Sequence, residues 1–295
     1  MNKKFKGIMP ALITPFDEEG KLLEASVGRL MDWEMERGAK GFYINGATGE
    51  GPLLCEETRM RMAEAAVEFI RGRGCIINHV GSINIQESLR LARHAEQCGC
   101  DAISSLPPAY FNQYSEAELM DYYRRLSEAS NLPLLVYANQ MFGQREITEF
   151  ITKVMELPHV IGVKFTRQNY YEMHCLAEVN DGDINIINGP DETLICGLMM
   201  GADGGIGSTY NLMTSWFVEL YDRFQSGDVD GARAIQYRIN RVIRVLLRHG
   251  VIGSIKEIFR MMGIEAGSVA FPGKRFSRDE AEELKREICA AGFQF

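Results

Sequence analysis

A closed (β/α)8 barrel, the TIM-barrel class of α/β fold, with an appended C-terminal helical layer is the architecture this sequence predicts. Two observations carry the prediction. Eight short apolar runs with β character alternate strictly with longer runs, several of them amphipathic at helical spacing, which is the mark of a parallel α/β sheet. The chain then continues well past the eighth unit without a low-complexity linker. An open doubly wound sheet is the alternative for such a pattern, and the count of eight favours closure.

The strand candidates are 7–14, 41–45, 75–80, 102–106, 134–137, 160–165, 184–188 and 204–207. Between them, 56–71 repeats apolar residues at spacings of three and four through Met60, Ala63, Val67 and Ile70, so one face of a helix is buried. Similar stripes occupy 87–97, 116–128, 147–156 and 213–224. Residues 1–225 are read as the barrel, and 226–295, with helical patterns at 229–248, 254–262 and 278–290, as helices packed on it in one structural unit. A length of 295 residues with 46% hydrophobic and 24% charged residues is compatible with one such unit.

Composition narrows the function. A net charge of −8 with no basic block argues against a nucleic-acid partner. The N-terminal Met1-Asn-Lys-Lys-Phe-Lys-Gly7 leads into no apolar signal core, and no run approaches a membrane span. Seven cysteines without a disulfide framework or zinc spacing read as reduced thiols, and the expected location is cytoplasmic. Five scattered histidines give no metal motif.

Barrel chemistry gathers at the carboxyl ends of the strands. Lys164, in Val160-Ile-Gly-Val-Lys164-Phe-Thr166, is the most informative residue there. Burial in an apolar strand disfavours the ammonium form and favours a neutral nucleophile able to form a Schiff base with a carbonyl; a snorkelling strand-end lysine is the plain alternative. Gly46-Ala47-Thr48-Gly49-Glu50 can cradle an anion with backbone N–H groups and the Thr48 hydroxyl, or be an ordinary βα turn. Tyr137 can shuttle a proton, or be core. Asp191 and Glu192 can bind a polyol, or complement a helix dipole. His79 and the Met199-Met200 and Met261-Met262 pairs read as structural.

Ala11-Leu-Ile-Thr-Pro-Phe-Asp17, Gly46-Ala-Thr-Gly-Glu50, Tyr137, Gly162-Val-Lys164 and Gly201-Ala-Asp-Gly-Gly-Ile-Gly-Ser-Thr-Tyr210 together resemble the N-acetylneuraminate lyase and dihydrodipicolinate synthase family, nearly end to end. The resemblance implies a homotetramer that binds a small 2-oxo acid as a covalent imine on Lys164, with no metal or organic cofactor. Phe142, where the synthases carry an arginine, is similar to the lyase branch, which implies cleavage of N-acetylneuraminate to pyruvate and N-acetylmannosamine. By the same resemblance Tyr137 exchanges the proton. Ala47 and Thr48 take the carboxylate, and Thr166, Gly189, Asp191, Glu192 and Ser208 hold the rest of the substrate. Tyr110 reaches a neighbouring subunit's site. Two departures stand out: Ala47 lacks the relay hydroxyl usual in the family, and Tyr137-Ala-Asn139-Gln140 replaces a proline-containing turn. Two other readings therefore stay open. One is an aldolase or dehydratase of another 2-keto-3-deoxy sugar acid, or a dihydrodipicolinate synthase-like enzyme; the other is a non-catalytic sugar-acid binder.

Overall fold

The computed structural model describes residues 5–108, 114–143 and 145–295. The eight apolar runs form the strands β1 (Gly7–Pro10), β2 (Gly41–Ile44), β3 (Cys75–His79), β4 (Ala102–Ser105), β5 (Leu134–Ala138), β6 (Val160–Phe165), β7 (Asn185–Asn188) and β8 (Gly204–Gly207). All pair in parallel, in sequential order from β2 to β8 and then back to β1. The β1–β2 seam closes by single bonds: Lys40 N–H donates to the Ile8 carbonyl at 2.9 Å, and Leu12 N–H to the Tyr43 carbonyl at 2.9 Å. The first strand is shorter than the apolar run 7–14 suggested. The Ile13 N–H is taken by the Asn211 side chain at 3.1 Å, which draws the backbone away from the sheet.

Alternate strand residues face opposite ways. Met9, Tyr43, Ile77, Leu135, Tyr137 and Ile206 belong to a core inside the barrel. Phe42, Ile76, Ile103, Val136, Val163 and Ile186 belong to the larger core beneath the helices. In β6 this alternation is broken. Leu134 pairs with Val160 but Leu135 pairs with Gly162, so Ile161 is an extra residue, a β-bulge. Val160 lies in the outer core and Ile161 packs against the inner one. Uninterrupted alternation from there would send Gly162 and Lys164 outward. The bulge resets the phase, and Lys164 comes level with Tyr137. Gly162 is required at this point, because a Cβ there would lie 1.9 Å from the Asn185 carbonyl oxygen.

The helices are α1 (Glu24–Met35), α2 (Glu56–Ile70), α3 (Ile85–Cys98), α4 (Glu116–Ala129), α5 (Thr148–Val154), α6 (Tyr170–Ala177), α7 (Leu194–Met199), α8 (Tyr210–Gln225), α9 (Val229–His249), α10 (Val251–Met261) and α11 (Arg278–Ala290). Side chains set several starts: Ser115 and Ser277 form capping boxes with Glu118 and Glu280, and Asn84, Asn169 and Asp228 accept bonds from the first turns of α3, α6 and α9. Three helices were not evident from periodicity. The buried side of α1 includes Gly28 and Glu34, which breaks its apolar stripe. The buried side of α6 likewise includes a charged residue, Glu172, and the six residues of α7 are too few to show a repeat.

Gly162→Ala is expected to cost about 1–3 kcal/mol, the usual range for overpacking, or more, since the obstructing atom belongs to the backbone. An unchanged denaturant midpoint would count against the close approach at this bulge.

Candidate active site

The bulge delivers Lys164 into the barrel mouth with 5% of its surface exposed. Its Nζ lies 3.6 Å from the centre of the Tyr137 ring and 5.1 Å from that of Tyr43, and it donates to Thr166 Oγ1 at 3.3 Å. Aromatic faces stabilise a cation without neutralising it. Tyr137 responds in turn: burial pushes its phenol up, but the charge of Lys164 and hydrogen bonds from Lys164 and Thr166 outweigh that, and its pKa falls below the ordinary value. An amine and an acidified phenol therefore share one buried space.

His79 completes this wall. Its Nδ1–H donates to the Asn45 carbonyl at 3.2 Å and its Nε2 accepts the Leu106 N–H at 3.3 Å. Burial, reinforced by the charges of Arg59 and Lys164, lowers its pKa to about 3. It is neutral near pH 7 with both ring nitrogens engaged, in keeping with a structural role.

The loop after β2 folds tightly on itself. Asn45 and Glu50 both have φ of 57°, Glu50 N–H donates to the Ala47 carbonyl, and Gly51 N–H to that of Gly46. Among the described residues, the N–H groups of Ala47 and Thr48 donate to no protein acceptor. Thr48 Oγ1 lies 2.6 Å from Ser208 Oγ, joining the ends of β2 and β8 across the mouth. The Glu50 carboxylate turns away from the mouth to meet Lys256 Nζ of α10 at 2.6 Å and to accept the Ala270 N–H at 2.7 Å. Both partners of the ion pair are buried.

On the other side a cavity of about 780 Å³ opens, with Gln140, Thr166, Gly189, Asp191, Ser208 and Leu247 in its wall. Gly189 is there for its missing side chain: a Cβ would lie 1.9 Å from Thr166 Oγ1. Its N–H donates to the Phe165 carbonyl at 2.7 Å. Asp191 Oδ2 accepts both the N–H and the hydroxyl of Thr209, at 2.7 and 2.6 Å. Burial nevertheless raises its pKa to about 6, with Glu192 adding to the shift and Thr209 opposing it. Glu192, half-buried, also lines the cavity.

The structure thus gathers Lys164, Tyr137, Thr166, Thr48, Ala47, Ser208, Gly189, Asp191 and Glu192 around one mouth. Tyr110 lies outside the described residues. Phe142 packs into the core against Phe150, with ring centres 5.6 Å apart.

Several contributors were not singled out from sequence. Arg167 borders the cavity, yet its guanidinium donates to Glu172 and to the carbonyls of Asn139, Gly143 and Arg145. From α9, Gln236 and Asn240 donate to the carbonyls of Asp191 and Glu192. Lys256 carried the signal that exposed Lys164, a lysine among apolar neighbours, but in a helix an outward face is the ordinary expectation for such a residue.

The family model for the dihydrodipicolinate synthetase family matches residues 4–291. The N-acetylneuraminate lyase of Rhizobium meliloti is 34% identical over 289 residues, which is 97% of this chain and 95% of that protein. That of Citrobacter koseri is 35% identical over 266 residues, 90% of this chain and 89% of its own. Among solved structures, N-acetylneuraminate lyase (sialic acid aldolase) from Aliivibrio salmonicida superposes with a TM-score of 0.93 at 28% identity, covering 100% of this chain and 99% of that one. N-acetylneuraminate lyase from Mycoplasma synoviae gives 0.90 at 31% identity, covering 98% and 99%.

Two outcomes are expected. Lys256→Met strands a buried carboxylate and should cost about 3–5 kcal/mol, part of which Lys256→Met with Glu50→Gln recovers; a single variant as stable as the parent would remove the role of the pair. Asp191 has a folded pKa of about 6 against 3.8 for a free carboxyl. The folded state therefore holds its proton more tightly, and stability falls as pH rises from about 4 to above 6, by on the order of 3 kcal/mol. Asp191→Asn should gain on the parent by that order between pH 4 and pH 7 in denaturant titrations, and a pH-independent difference would contradict this.

Proposed function

The chain belongs to the dihydrodipicolinate synthetase family, and from that premise we propose that it is a Schiff-base aldolase cleaving N-acetylneuraminate to pyruvate and N-acetylmannosamine. The observation that carries the reading is the pairing of a buried lysine amine with an acidified tyrosine beside a loop whose N–H groups are free to meet a carboxylate.

In this reading the substrate carboxylate takes the N–H groups of Ala47 and Thr48 and the Thr48 hydroxyl. Lys164 attacks the C2 carbonyl, and loss of water leaves an imine. Tyr137 removes the proton of the C4 hydroxyl as the C3–C4 bond breaks. The bonding pair moves into the imine to give an enamine, which is reprotonated at C3 by Tyr137 and then hydrolysed to pyruvate. No other cofactor is needed, because the protonated imine is the electron sink. The lowered phenol pKa suits a group that must give and take a proton near neutrality. Thr166, bound to Lys164 and facing Tyr137, offers a hydroxyl at the acid–base pair where Ala47 offers none.

The polyhydroxy tail extends into the cavity toward Gly189, Asp191, Glu192 and Ser208. This side favours a neutral tail over a second carboxylate. Its acids repel an anion, Arg167 has its donors committed to the protein, and Phe142 is turned into the core. That is the argument for a lyase over a dihydrodipicolinate synthase-like activity. We read the assembly as a homotetramer in which Tyr110 completes a neighbour's site, and its place as the cytoplasm; among the described residues no helix is long and apolar enough to cross a membrane. A second reading, cleavage or dehydration of another 2-keto-3-deoxy sugar acid, is favoured by one observation: Gln140, from the turn without proline, stands in the cavity wall.

The test is pyruvate release from N-acetylneuraminate, followed with lactate dehydrogenase and NADH. Release by the parent and none by Lys164→Arg is expected, with Tyr137→Phe lowering kcat by about 10²- to 10⁴-fold. Release only from other 2-keto-3-deoxy acids would shift the assignment to the second reading. Ligand-induced stabilisation with no turnover on any of them would make the protein a binder.

A further inference from the structure

At the opposite end of the barrel from the mouth, where α3 hands the chain to β4, Cys98 Sγ and Cys100 Sγ lie 3.8 Å apart. The helix ends between them. Gly99 has a φ of 92° and its N–H closes the last turn, while Cys100 N–H reaches back to the Ala95 carbonyl at 2.9 Å. This left-handed residue turns the two flanking cysteines to the same side. Among the described residues only Val67 Cγ1, at 3.6 Å, approaches the open face of Gly99, so the turn has room to adjust. A disulfide bond is about 2.05 Å long, and the sulfurs are within a small local movement of that distance.

The two thiols are unequal. Cys98 is half-buried at the surface, whereas Cys100 lies beneath it, 4% exposed. A hydrogen bond from the Cys100 thiol, against the opposing effect of burial and with help from His94, lowers the Cys98 thiol to about 7, and the buried Cys100 thiol is raised. His94 itself lies 2.9 Å from Glu64 on the neighbouring helix α2. The outer thiol is thus the nucleophile and the inner one the reserve.

We propose that Cys98 and Cys100 form a reversible redox modification site that reacts with hydroperoxides to give an intramolecular disulfide. The Cys98 thiolate attacks the peroxide oxygen, the O–O bond breaks, and an alcohol or water leaves as Cys98 becomes a sulfenic acid. The Cys100 sulfur then attacks Cys98 Sγ. The S–S bond forms, the S–O bond breaks, and hydroxide leaves with the Cys100 proton as water. Two thiols and one hydroperoxide yield one disulfide, one alcohol or water, and one further water. A thiol reductant reverses the reaction by disulfide exchange. Because the pair precedes β4 and the reactive groups of the mouth follow the strands, oxidation is expected to leave catalysis unchanged, and the proposal does not depend on which substrate the mouth accepts.

The experiment treats the full chain with one equivalent of hydrogen peroxide at pH 7, blocks remaining thiols with N-ethylmaleimide and maps tryptic fragments by mass. Fragment 94–124 contains Cys98 and Cys100 and no other cysteine. It should emerge unalkylated and lighter by two hydrogens, and dithiothreitol should restore it. Cys100→Ala should stop at a dimedone-trappable sulfenic acid on Cys98, and Cys98→Ser should consume peroxide about tenfold more slowly than the parent. The proposal is overturned if the fragment stays fully alkylated while the exposed Cys55, Cys196 and Cys289 oxidise first, or if Cys98→Ser reacts as fast as the parent.

Discussion

The single extra residue in β6 is the constraint on which the site depends. A barrel interior is filled by alternate residues of its strands, and without Ile161 out of register the β6 lysine would point into the helical layer. There it would meet Val136, Ala138 and Ile186 of the outer core, where a charge has no compensation. With the bulge, the amine meets the ring faces of Tyr137 and Tyr43 instead. Gly162 permits this because its neighbour strand passes too close for any side chain. The chemistry of Lys164 is therefore a consequence of strand register first and of local polarity second.

Around that residue the electrostatics are divided. On one side are the N–H groups of a tight turn and a hydroxyl pair, Thr48 with Ser208, suited to an anion. On the other are two carboxyl groups, one of them buried and raised toward neutrality, suited to hydroxyls. The lysine lies between. A substrate with a carboxylate next to its carbonyl and an uncharged polar tail matches this division, and a dicarboxylate does not. The arginine that sequence comparison would look for is absent from position 142, and the one present at 167 is consumed in holding the segment from Asn139 to Arg145.

The C-terminal helices belong to this machinery. Gln236 and Asn240 hold the carbonyls of the turn after β7, and Lys256 with Ala270 holds Glu50 behind the turn after β2. Both walls of the mouth are thus braced by residues that follow the last strand. A buried ion pair contributes little net stability over an apolar replacement, yet removing one partner is costly, and the Glu50–Lys256 pair ties the barrel to its appended layer. The residues joined are 206 positions apart.

How much of this was legible in the chain follows from the range of each interaction. Eight apolar runs, the amphipathic stripes of the longer helices, the glycine-rich turns and an anomalous lysine in a β-type segment are local patterns, and local patterns survive in a one-dimensional reading. The barrel and most of the strand-end residues could be placed from them. The helices α1, α6 and α7 could not, since α1 has its stripe interrupted by Gly28 and a buried Glu34, α6 buries Glu172, and α7 is too short to repeat. Nor could the bulge at Ile161, the commitment of Arg167, or the partnership of Glu50 with Lys256. Each is decided by which backbone or side chain arrives from a distant part of the chain. The sequence by itself determined the fold class and singled out Lys164, because periodicity sets the first and an amine in an apolar β-type run marks the second. Tertiary structure alone decided which way that lysine faces and what braces the turns around it, because register and long-range pairing exist only once the barrel has closed.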